Sequence, residues 1–554
     1  MPTYTLTVLD VTGIQDYIFG SNRLSENVGA SQIVHQATTT WVREGMDEAK
    51  VRHNLGPDDT IDALRWLEQD EALDAEVILR GGGNALILFR TPEFAKATVG
   101  KLTRKLIIDA PGLEIAVAHH TFDWTTPVGG PDGAHHKLYE ALNQTKQQRR
   151  GSAPLLGLGV TLECRSTGLP AVGYAPPQGE DDTTLRPVSA EVLAKLDKTL
   201  QTAAQQRLTA LLPEVEPAGY RFRREFGTLG GTEGEMSYIA VVHADGNGIG
   251  KLFEKVIMGY PEAAQNRACL NALRNLSNAV DQAGQDALRA TIQRMMAAFS
   301  AHEAPRELKD FLQSLHAVPK TRHPILPFRP IVYGGDDVTF VCDGRLGLAL
   351  AAIYLEEWER VTKVSPTIGA AHACAGVAIV KSHYPFVRAY TLAGALCTGA
   401  KRAVREALRD HPELSASALD WHFAMSGIGG TIKQIRDREC QGKAGPMHLR
   451  PVALHAPILK PNWYTWATFD RVTRDFQSGP DWRARRNKVK ELREVLREGP
   501  VAVERFRRAF TLNKLPVLDA GKAALQQTGW DGATCGYFDP IEALDFYLPL
   551  TEKR

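Results

Sequence analysis

The sequence lacks the features that mark several large protein classes. Its seven cysteines are scattered over 554 residues and none forms a Cys-x-x-Cys pair, which argues against a zinc ribbon or a disulfide framework. It has no long apolar run, and its first residues enter a strand pattern without a basic segment, so we expect a cytoplasmic protein without membrane contact. The formal net charge is only +1. That value neither favours nor excludes nucleic acid, because a local basic patch can still bind it.

The rest of the composition is typical of a folded protein with more than one domain. A chain of 554 residues has room for roughly three or four domains of ordinary size. Its hydrophobic fraction of 44% is enough for the cores of such domains. Composition therefore indicates a multidomain globular protein and leaves the function to the motifs.

A glycine–aspartate turn between two apolar runs is the most informative stretch. It consists of Gly334, Gly335, Asp336 and Asp337, and it predicts the tip of a β-hairpin. Glycines at such a tip permit positive φ and leave room for a ligand to approach the backbone. Adjacent carboxylates repel each other unless a cation or solvent screens them, and Mg²⁺ prefers carboxylate oxygens. The alternative is a plain solvated turn, because Gly and Asp are ordinary turn formers.

A second acidic element upstream favours the metal interpretation. An apolar run ends in Asp245, and a glycine-rich turn follows with Gly246, Asn247, Gly248 and Gly250. This order predicts a strand, a turn and the start of a helix, whose N-terminal N–H groups can hold phosphates. One aspartate at a strand end and two on a later hairpin is how nucleotidyl-transfer palm domains hold two metal ions. The two motifs together are therefore more specific than either one alone.

These residues resemble the second palm domain of the large subunit of type III CRISPR effector complexes. The resemblance rests on Asp245-Gly246-Asn247 and the later Gly-Gly-Asp-Asp run, and it continues into a strand at 375–380 and the helix after it. Members of that family resemble polymerases and the GGDEF diguanylate cyclases, and they make cyclic oligoadenylates from ATP. Their helix carries a lysine that faces the triphosphate, and Lys401 matches it. The alternative for Lys401 is a lysine near a helix C-terminus that interacts with the helix dipole.

The N-terminal part repeats this pattern in a weaker form. A strand that ends near Asp10 turns into a helix through Phe19, and a hairpin with three glycines follows at 78–89. Laid over the second palm, Val11 falls on Asp245, whereas Asn84 and Ala85 fall on the two hairpin aspartates. We therefore predict a first palm that has lost its metal carboxylates. The resemblance implies the same arrangement, since the CRISPR large subunit also has two tandem palms with the first degenerate.

The region between the palms contains a segment that resembles a zinc knuckle. In the family this segment reads Cys-x-x-Cys-Gly-x-Pro-Ala, and here Cys164 is followed by Thr167 where the second cysteine stands. A threonine hydroxyl is a poor zinc ligand. We expect the shape of a knuckle without metal.

The last part of the chain is predicted to be helical and rich in basic residues. Arginines and lysines at 483–490 and 505–508 are interleaved with glutamates. They form either a surface that faces RNA or a partner, or a solvated, ion-paired helix face. The resemblance implies a C-terminal helical domain that touches a small helical subunit.

The predicted fold class is α+β, with several domains. We expect two tandem ferredoxin-like palms, the first at 1–125 and the second at 236–425, with a connecting domain at 126–235 and a C-terminal helical domain at 426–554. No His-Asp dipeptide occurs in the sequence, so we do not expect the histidine–aspartate nuclease domain with which the family often begins. A compact chain of this kind also fits a stand-alone signalling synthetase.

The expected activity is that of a nucleotidyltransferase that converts ATP, or other nucleoside triphosphates, into a cyclic oligonucleotide messenger in antiviral defence. Mg²⁺ or Mn²⁺ is expected on Asp245, Asp336 and Asp337. Lys401 and the backbone of the glycine turns, including Gly334 and Gly335, are expected to bind the nucleotide. Asn247 either contacts base or ribose or holds its turn. Expected partners are ATP, RNA or subunits of a guide-RNA complex, and a second copy of the chain.

Two other readings remain open at the level of sequence. The chain could be a catalytically silent pair of palms that binds RNA or protein in an effector complex. It could also be a diguanylate cyclase proper, which usually works as a symmetric dimer of one palm and carries Glu after the first Asp of the motif. The loss of carboxylates in only one palm argues against the first reading.

Overall fold

The structure is a computed structural model, and it shows a mixed α+β protein. It describes residues 2–148, 159–176, 185–222, 229, 237–301, 306–316, 325–411, 413–424, 430–455, 457–512, 514–518 and 523–550. Across these ranges, no helix combines the length and the apolar character that crossing a bilayer requires. The predicted fold class is confirmed.

The N-terminal part folds as a four-stranded antiparallel sheet with helices. Its elements are β1 (Thr3–Thr12), α1 (Ile14–Phe19), α2 (Leu24–Thr38), α3 (Thr40–Glu48), β2 (Ala75–Gly81), β3 (Asn84–Phe89), α4 (Pro92–Asp109), β4 (Glu114–Asp123) and α5 (Ala134–Gln148). The strand order is β2-β3-β1-β4. The strands are apolar on both faces because helices cover both faces of the sheet.

A smaller region of short elements follows. It contains β5 (Gly173–Ala175), β6 (Arg186–Val188), α6 (Ala190–Lys195), α7 (Lys198–Leu211) and β7 (Arg221–Phe222). Its knuckle-like loop closes on itself, since the Cys164 amide donates to Leu169 O at 2.9 Å and the Gly168 amide donates to Cys164 O at 2.8 Å. The Thr167 hydroxyl donates to the Ser189 hydroxyl at 3.0 Å.

A six-stranded sheet forms the centre of the second half. Its elements are β8 (Tyr238–Gly246), α8 (Ile249–Met258), α9 (Asn266–Phe299), α10 (Arg306–His316), β9 (Ile325–Leu326), β10 (Phe328–Gly334), β11 (Asp337–Asp343), α11 (Gly347–Val364), β12 (Ala373–Lys381), α12 (Phe386–Ala407) and β13 (Ala418–Ala424), joined later in the chain by β16 (Val452–Ala453). The strand order is β10-β11-β8-β12-β13-β16. Both central strands, β8 and β12, are almost entirely buried.

The C-terminal part is mainly helical, as predicted. It contains α13 (Ile432–Glu439), β14 (Gln441–Gly442), β15 (Gly445–Pro446), α14 (Trp466–Ser478), α15 (Arg486–Arg497), α16 (Pro500–Ala509), α17 (Ala523–Thr528), β17 (Trp530–Asp531), β18 (Thr534–Cys535) and α18 (Phe538–Glu542). Several of its basic side chains are paired with acids: Lys490 lies 2.7 Å from Asp545, and Lys488 lies 2.8 Å from Glu491. The ion-paired helix face is therefore the alternative that the structure favours.

The two sheets repeat one order of elements: strand, helix, hairpin, helix and strand. The four strands of the first sheet and the first four of the second also have the same lateral order. In the first sheet Asp10 pairs with Asn84, and in the second Asp245 pairs with Asp337. Each hairpin has an irregularity at the same place, around Ile78 in one and around Ile331 in the other. The predicted internal repeat is present.

The register corrects the sequence alignment of the repeats by one residue. Asp10, not Val11, stands at the position of Asp245, while Gly83 and Asn84, not Asn84 and Ala85, stand at the positions of Asp336 and Asp337. The sequence alignment depends on a match of phenylalanines in the helices that follow, and this match is fortuitous. The first palm has therefore kept one of the three acidic positions.

Helix α9 lies against both sheets. Its N-terminal side chains Cys269, Leu270 and Leu273 are buried in the core beneath the first sheet. Side chains from Leu276 to Phe299 are buried in the core of the second sheet, together with α11. This helix is therefore a structural link between the two palms.

Candidate functional site

Two of the three predicted metal carboxylates face each other on neighbouring strands. Asp245 is the next-to-last residue of β8, Asp337 is the first residue of β11, and the two are paired in the antiparallel register. Asp336 precedes Asp337 in the turn, and its carbonyl accepts a hydrogen bond from the Gly246 amide at 3.1 Å. The fold thus brings all three aspartates to one edge of the second sheet.

Glycine is required at Gly246 because Asp336 approaches it closely. A Cβ placed on Gly246 would lie 2.8 Å from the Cβ of Asp336 and 2.8 Å from Cγ1 of Ile249. The hairpin reaches its turn through two glycines with positive φ, 135° at Gly334 and 72° at Gly335. A Cβ on Gly335 would meet no atom within 4 Å, so the turn has open space on the side towards which that Cβ would point.

The charge of Asp336 is disfavoured in its surroundings. Burial, together with the charges of Asp245 and Asp337, raises the pKa of the Asp336 carboxyl to about 6. Like charges this close destabilise one another unless a cation compensates them. The site is therefore an acidic cluster with a deficit of positive charge.

Lys401 supplies part of that positive charge. Its Nζ lies 2.6 Å from Oδ2 of Asp245 and donates to Gly246 O at 2.8 Å. Lys401 reaches the aspartate because α12 packs on the face of β8 from which Asp245 projects. The alternative in which the lysine caps its own helix does not fit these contacts, since its partners are on β8.

His243 approaches Asp337 from the buried side. Its Nδ1 lies 3.3 Å from Oδ1 of Asp337 and 3.1 Å from the Thr339 hydroxyl. Burial acts to lower the pKa of His243, but the carboxylates of Asp337 and Asp245 together outweigh burial and raise that pKa above its ordinary value. The ring of Tyr390 meets the histidine edge-on, with centroids 5.6 Å apart. No sequence signal points to this histidine beyond its place in an apolar strand.

A residue of the first palm completes this aromatic stack. Phe19 lies parallel to Tyr390 with ring centroids 3.7 Å apart, and the Asn22 side chain accepts a hydrogen bond from the Phe386 amide at 2.7 Å. A continuous path of packed side chains therefore runs from the first palm through Tyr390 and His243 to Asp337.

The three aspartates suit a hard divalent cation in their chemistry. Their carboxylate oxygens are the ligands that Mg²⁺ and Mn²⁺ prefer, and Oδ1 of Asp337 is a buried atom that lies 3.3 Å from Nδ1 of His243 without a well-aligned hydrogen bond. Within the described ranges, no group of three or more His, Cys, Asp or Glu side chains is already gathered as a ligand set. Repulsion among the aspartates, together with the hold of Lys401 on Asp245, accounts for this open arrangement.

The glycine-rich turn after β8 leads into α8 as predicted. Gly248 has a φ of 74° and precedes the first residue of the helix, and a Cβ on Gly248 or Gly250 would meet nothing within 4 Å. The first turn of α8 is thus accessible to a phosphate. Asn247 donates from Nδ2 to Ala416 O at 3.0 Å, which favours the interpretation that this side chain holds the turn.

Two elements outside the palm strands hold the hairpin. Oδ1 of Asp281 in α9 accepts a hydrogen bond from the Gly335 amide at 3.1 Å. Arg207 in α7 donates to Tyr333 O at 2.8 Å, and its guanidinium lies 4.2 Å from the centre of the Tyr333 ring. Sequence reasoning missed these residues because they are far from the hairpin along the chain.

The first palm contains an ion pair like that of Lys401. Lys146 Nζ lies 2.6 Å from Oδ2 of Asp10. In both palms the aspartate lies near the end of the strand that begins the palm, and the lysine comes from the helix that follows the last of the four equivalent strands in sequence. The correct register, with Asp10 at the place of Asp245, would have pointed to this pair.

Comparison with known proteins agrees with the second palm. Residues 238–409 match the family model for the second palm domain of Cas10/Cmr2. A search among curated proteins found no match.

Solved structures of Csm1–Csm4 cassettes are similar in overall layout. The cassette in complex with cA4 has a TM-score of 0.49 and 13% identity over 98% of this chain and 69% of that chain. The cassette in complex with AMPPNP has a TM-score of 0.49 and 14% identity over 98% and 69%. The apo cassette has a TM-score of 0.49 and 12% identity over 98% and 70%. At these values the similarity carries no weight for function.

Proposed function

Residues 238–409 form a second palm domain of the Cas10/Cmr2 type, and from this premise we propose that the chain is a nucleotidyltransferase. It joins ATP into a cyclic oligonucleotide, with Mg²⁺ or Mn²⁺ as cofactor. The observation that carries the proposal is the pairing of Asp245 with Asp337 across β8 and β11, with Asp336 beside them. This arrangement lies inside the segment that matches the family model.

Asp245, Asp336 and Asp337 would hold the divalent cations. When bound, such cations lower the pKa of the attacking ribose hydroxyl and neutralise charge on the leaving pyrophosphate. Two observations support this assignment: the raised pKa of Asp336 and the buried oxygen of Asp337, which faces His243 without a well-aligned hydrogen bond. Both features are expected of a site that lacks positive charge before a cation binds.

The remaining groups bind and orient the nucleotide. The ammonium of Lys401, now on Asp245, lies within the same acidic site and would turn to the triphosphate. The free N–H groups at the start of α8 would bind phosphate oxygens, a role that open space around Gly248 and Gly250 permits. Because phosphoryl transfer depends mainly on positioning and charge neutralisation, the site needs no separate general base.

The proposal extends to the predicted domains and partners. We retain the boundaries of the first palm (1–125), the connecting domain (126–235), the second palm (236–425) and the helical domain (426–554). ATP is the expected substrate, and the expected partners are subunits of a type III CRISPR complex, RNA or a second copy of the chain.

The test is product formation by the purified protein. It would be incubated with ATP and Mn²⁺ alone, and with added RNA or complex subunits, and the products resolved by mass spectrometry. Cyclic oligoadenylates from the wild type, and none from a variant with Asp336→Ala and Asp337→Ala, are the expected results. No product under any of these conditions would favour the silent scaffold, and cyclic products from GTP alone would favour a diguanylate cyclase.

A further inference from the structure

Helix α9 contacts the outside of the Gly-Gly-Asp-Asp turn at two points. The carboxylate of Asp281 accepts the hydrogen bond from the Gly335 amide. One turn later along the helix, Gly284 is buried directly against the Gly335 carbonyl. The amide and the carbonyl of one turn residue are thus both in contact with the same helix.

Gly284 is an unexpected residue at its position. Helix interiors favour alanine over glycine, and α9 runs for 34 residues. A Cβ on Gly284 would lie 2.1 Å from Gly335 O, a distance that no real contact allows. Because the opposing atom belongs to the backbone of a tight turn, it cannot move aside as a flexible side chain would. The missing side chain is therefore what lets the turn sit on the helix.

The N-terminal part of α9, before Asp281 and Gly284, is bonded to the first palm. Arg274 is buried and donates to Oε1 of Glu76 at 2.7 Å and to Ile78 O at 3.1 Å. Arg267 donates to Oε1 of the same glutamate at 2.6 Å and forms a second ion pair with Glu68. Charged groups that are buried and paired in this way hold their elements in one geometry, since loss of either partner leaves an unpaired buried charge.

We infer that Asp281 and Gly284 are positioning residues for Asp336 and Asp337. Helix α9 is bonded to β2 of the first palm and determines the position and orientation of the turn in the second palm. The first palm thereby influences the acidic site although it has kept only one of the three acidic positions. The inference rests on the proposed function in one respect, namely that Asp336 and Asp337 bind the divalent cation.

The first experiment compares two glycine-to-alanine variants in helices. Gly284→Ala pushes on the turn, whereas Gly100→Ala in α4 adds the same methyl group where nothing lies within 4 Å. Mn²⁺ affinity without nucleotide would be measured by electron paramagnetic resonance, and amide exchange of residues 330–340 by mass spectrometry without metal. We expect Gly284→Ala to weaken Mn²⁺ binding at least about tenfold and to speed exchange in the turn, with Gly100→Ala like the wild type.

A second pair of variants tests the hydrogen bond and remains informative if Gly284→Ala does not fold. Asp281 is exposed, so neither Asp281→Ala nor Asp281→Asn disturbs a core. The asparagine keeps an oxygen for the Gly335 amide, and Gln285, which now donates to Oδ2 at 2.8 Å, can turn its own oxygen to the new NH₂ group. We expect faster exchange at the turn and weaker Mn²⁺ binding for alanine, and near-complete rescue by asparagine.

The outcomes separate this inference from the proposed function. Suppose that the wild type binds Mn²⁺, and that both Gly284→Ala and Asp281→Ala have the same Mn²⁺ affinity and the same amide exchange in the turn as the wild type. The inferred positioning role of α9 is then wrong, and the proposed metal site is unaffected. If Asp281→Asn loses as much affinity as Asp281→Ala, the carboxylate acts through its charge and not as a positioning group. If the wild type binds no Mn²⁺, the proposed cofactor is wrong, and the hydrogen-exchange arm alone decides whether α9 holds the turn.

Discussion

The ammonium nitrogen of Lys401 lies 2.6 Å from a carboxylate oxygen of Asp245. The lysine thus occupies the side of the aspartate where a divalent cation would compete for the same charge. An incoming triphosphate offers the ammonium a new anionic partner and would free the aspartate at the same time. Exchange of partners by this one side chain would link nucleotide binding to metal binding.

Replacing Lys401 with alanine should weaken ATP binding. Loss of a charge-assisted contact to phosphate costs about 1.5–3 kcal/mol, or roughly ten- to a hundredfold in affinity. ATP would be titrated in Ca²⁺, which should support binding without turnover. Lys146→Ala removes the matching ion pair of the first palm and serves as the control. Unchanged ATP affinity in Lys401→Ala would restrict this lysine to its present role as a partner of Asp245.

The Asp336→Asn variant should be more stable than the wild type in the absence of metal. Since the pKa of Asp336 is raised from 3.8 to about 6, the folded protein binds this proton more tightly than the unfolded chain does. The group's contribution to the free energy of unfolding is therefore most favourable below about pH 4 and declines as pH rises through 6. The neutral asparagine should stabilise the apo protein at pH 8 by about 1–3 kcal/mol, and this gain should shrink towards pH 5.

Urea unfolding at pH 8 and pH 5 measures that effect. Asp132→Asn removes a carboxylate at an exposed position and should change neither value by more than about 0.5 kcal/mol. A gain for Asp336→Asn that is equal at both pH values would mean that charge is not its source.

Asp10 should not be needed for metal binding. The first palm has Gly83 and Asn84 at the two hairpin positions, so a cation there would find a single carboxylate that is already paired with Lys146. Asp10→Ala should therefore keep the wild-type affinity for Mn²⁺, whereas Asp245→Ala should lose it. Isothermal titration of both variants makes the comparison. Equal losses would place a shared cation between the palms.

Phe19 should influence the acidic site from the first palm. Phe19→Leu removes the ring that stacks on Tyr390 and should cost about 0.5–1.5 kcal/mol of stability. Because Tyr390 contacts His243, which lies against Asp337, Mn²⁺ affinity should fall as well.

The control for this variant comes from the same cluster. The ring of Phe386 is buried against Phe19 with centroids 6.0 Å apart, but it lies outside the path to His243. Phe386→Leu should lower the melting temperature to a similar degree and leave Mn²⁺ affinity unchanged. If both variants lower metal affinity equally, the effect is a general loosening of the interface.

The sequence was informative wherever a local pattern determines the structure. The strand before Asp245, the hairpin around Gly334 and Gly335 and the helix that carries Lys401 all follow from apolar periodicity and turn chemistry. Their assembly into one edge could be predicted from the family resemblance, because local patterns do not specify which strands pair.

The sequence was less informative where tertiary contacts decide. The repeats were aligned one residue out of step because few identical residues connect them, and in a strand such a slip moves every side chain to the other face. Gly284 appeared as a small residue in a long helix, and only the folded chain brings it against Gly335 O. His243 was hidden for a similar reason, since a polar residue inside an apolar strand can equally be a satisfied core histidine.

The position of α9 also bears on the terminal strands of the two sheets. Among the described strands, β2 and β10 end their sheets, and a terminal strand with unpaired carbonyls is a template for strands of other molecules. Arg274 occupies the carbonyls of Val77 and Ile78, and Gly284 presses against the turn that ends β10. A chain in which α9 has detached would expose the edge strands of both sheets at once. We would expect such a chain to aggregate by strand addition.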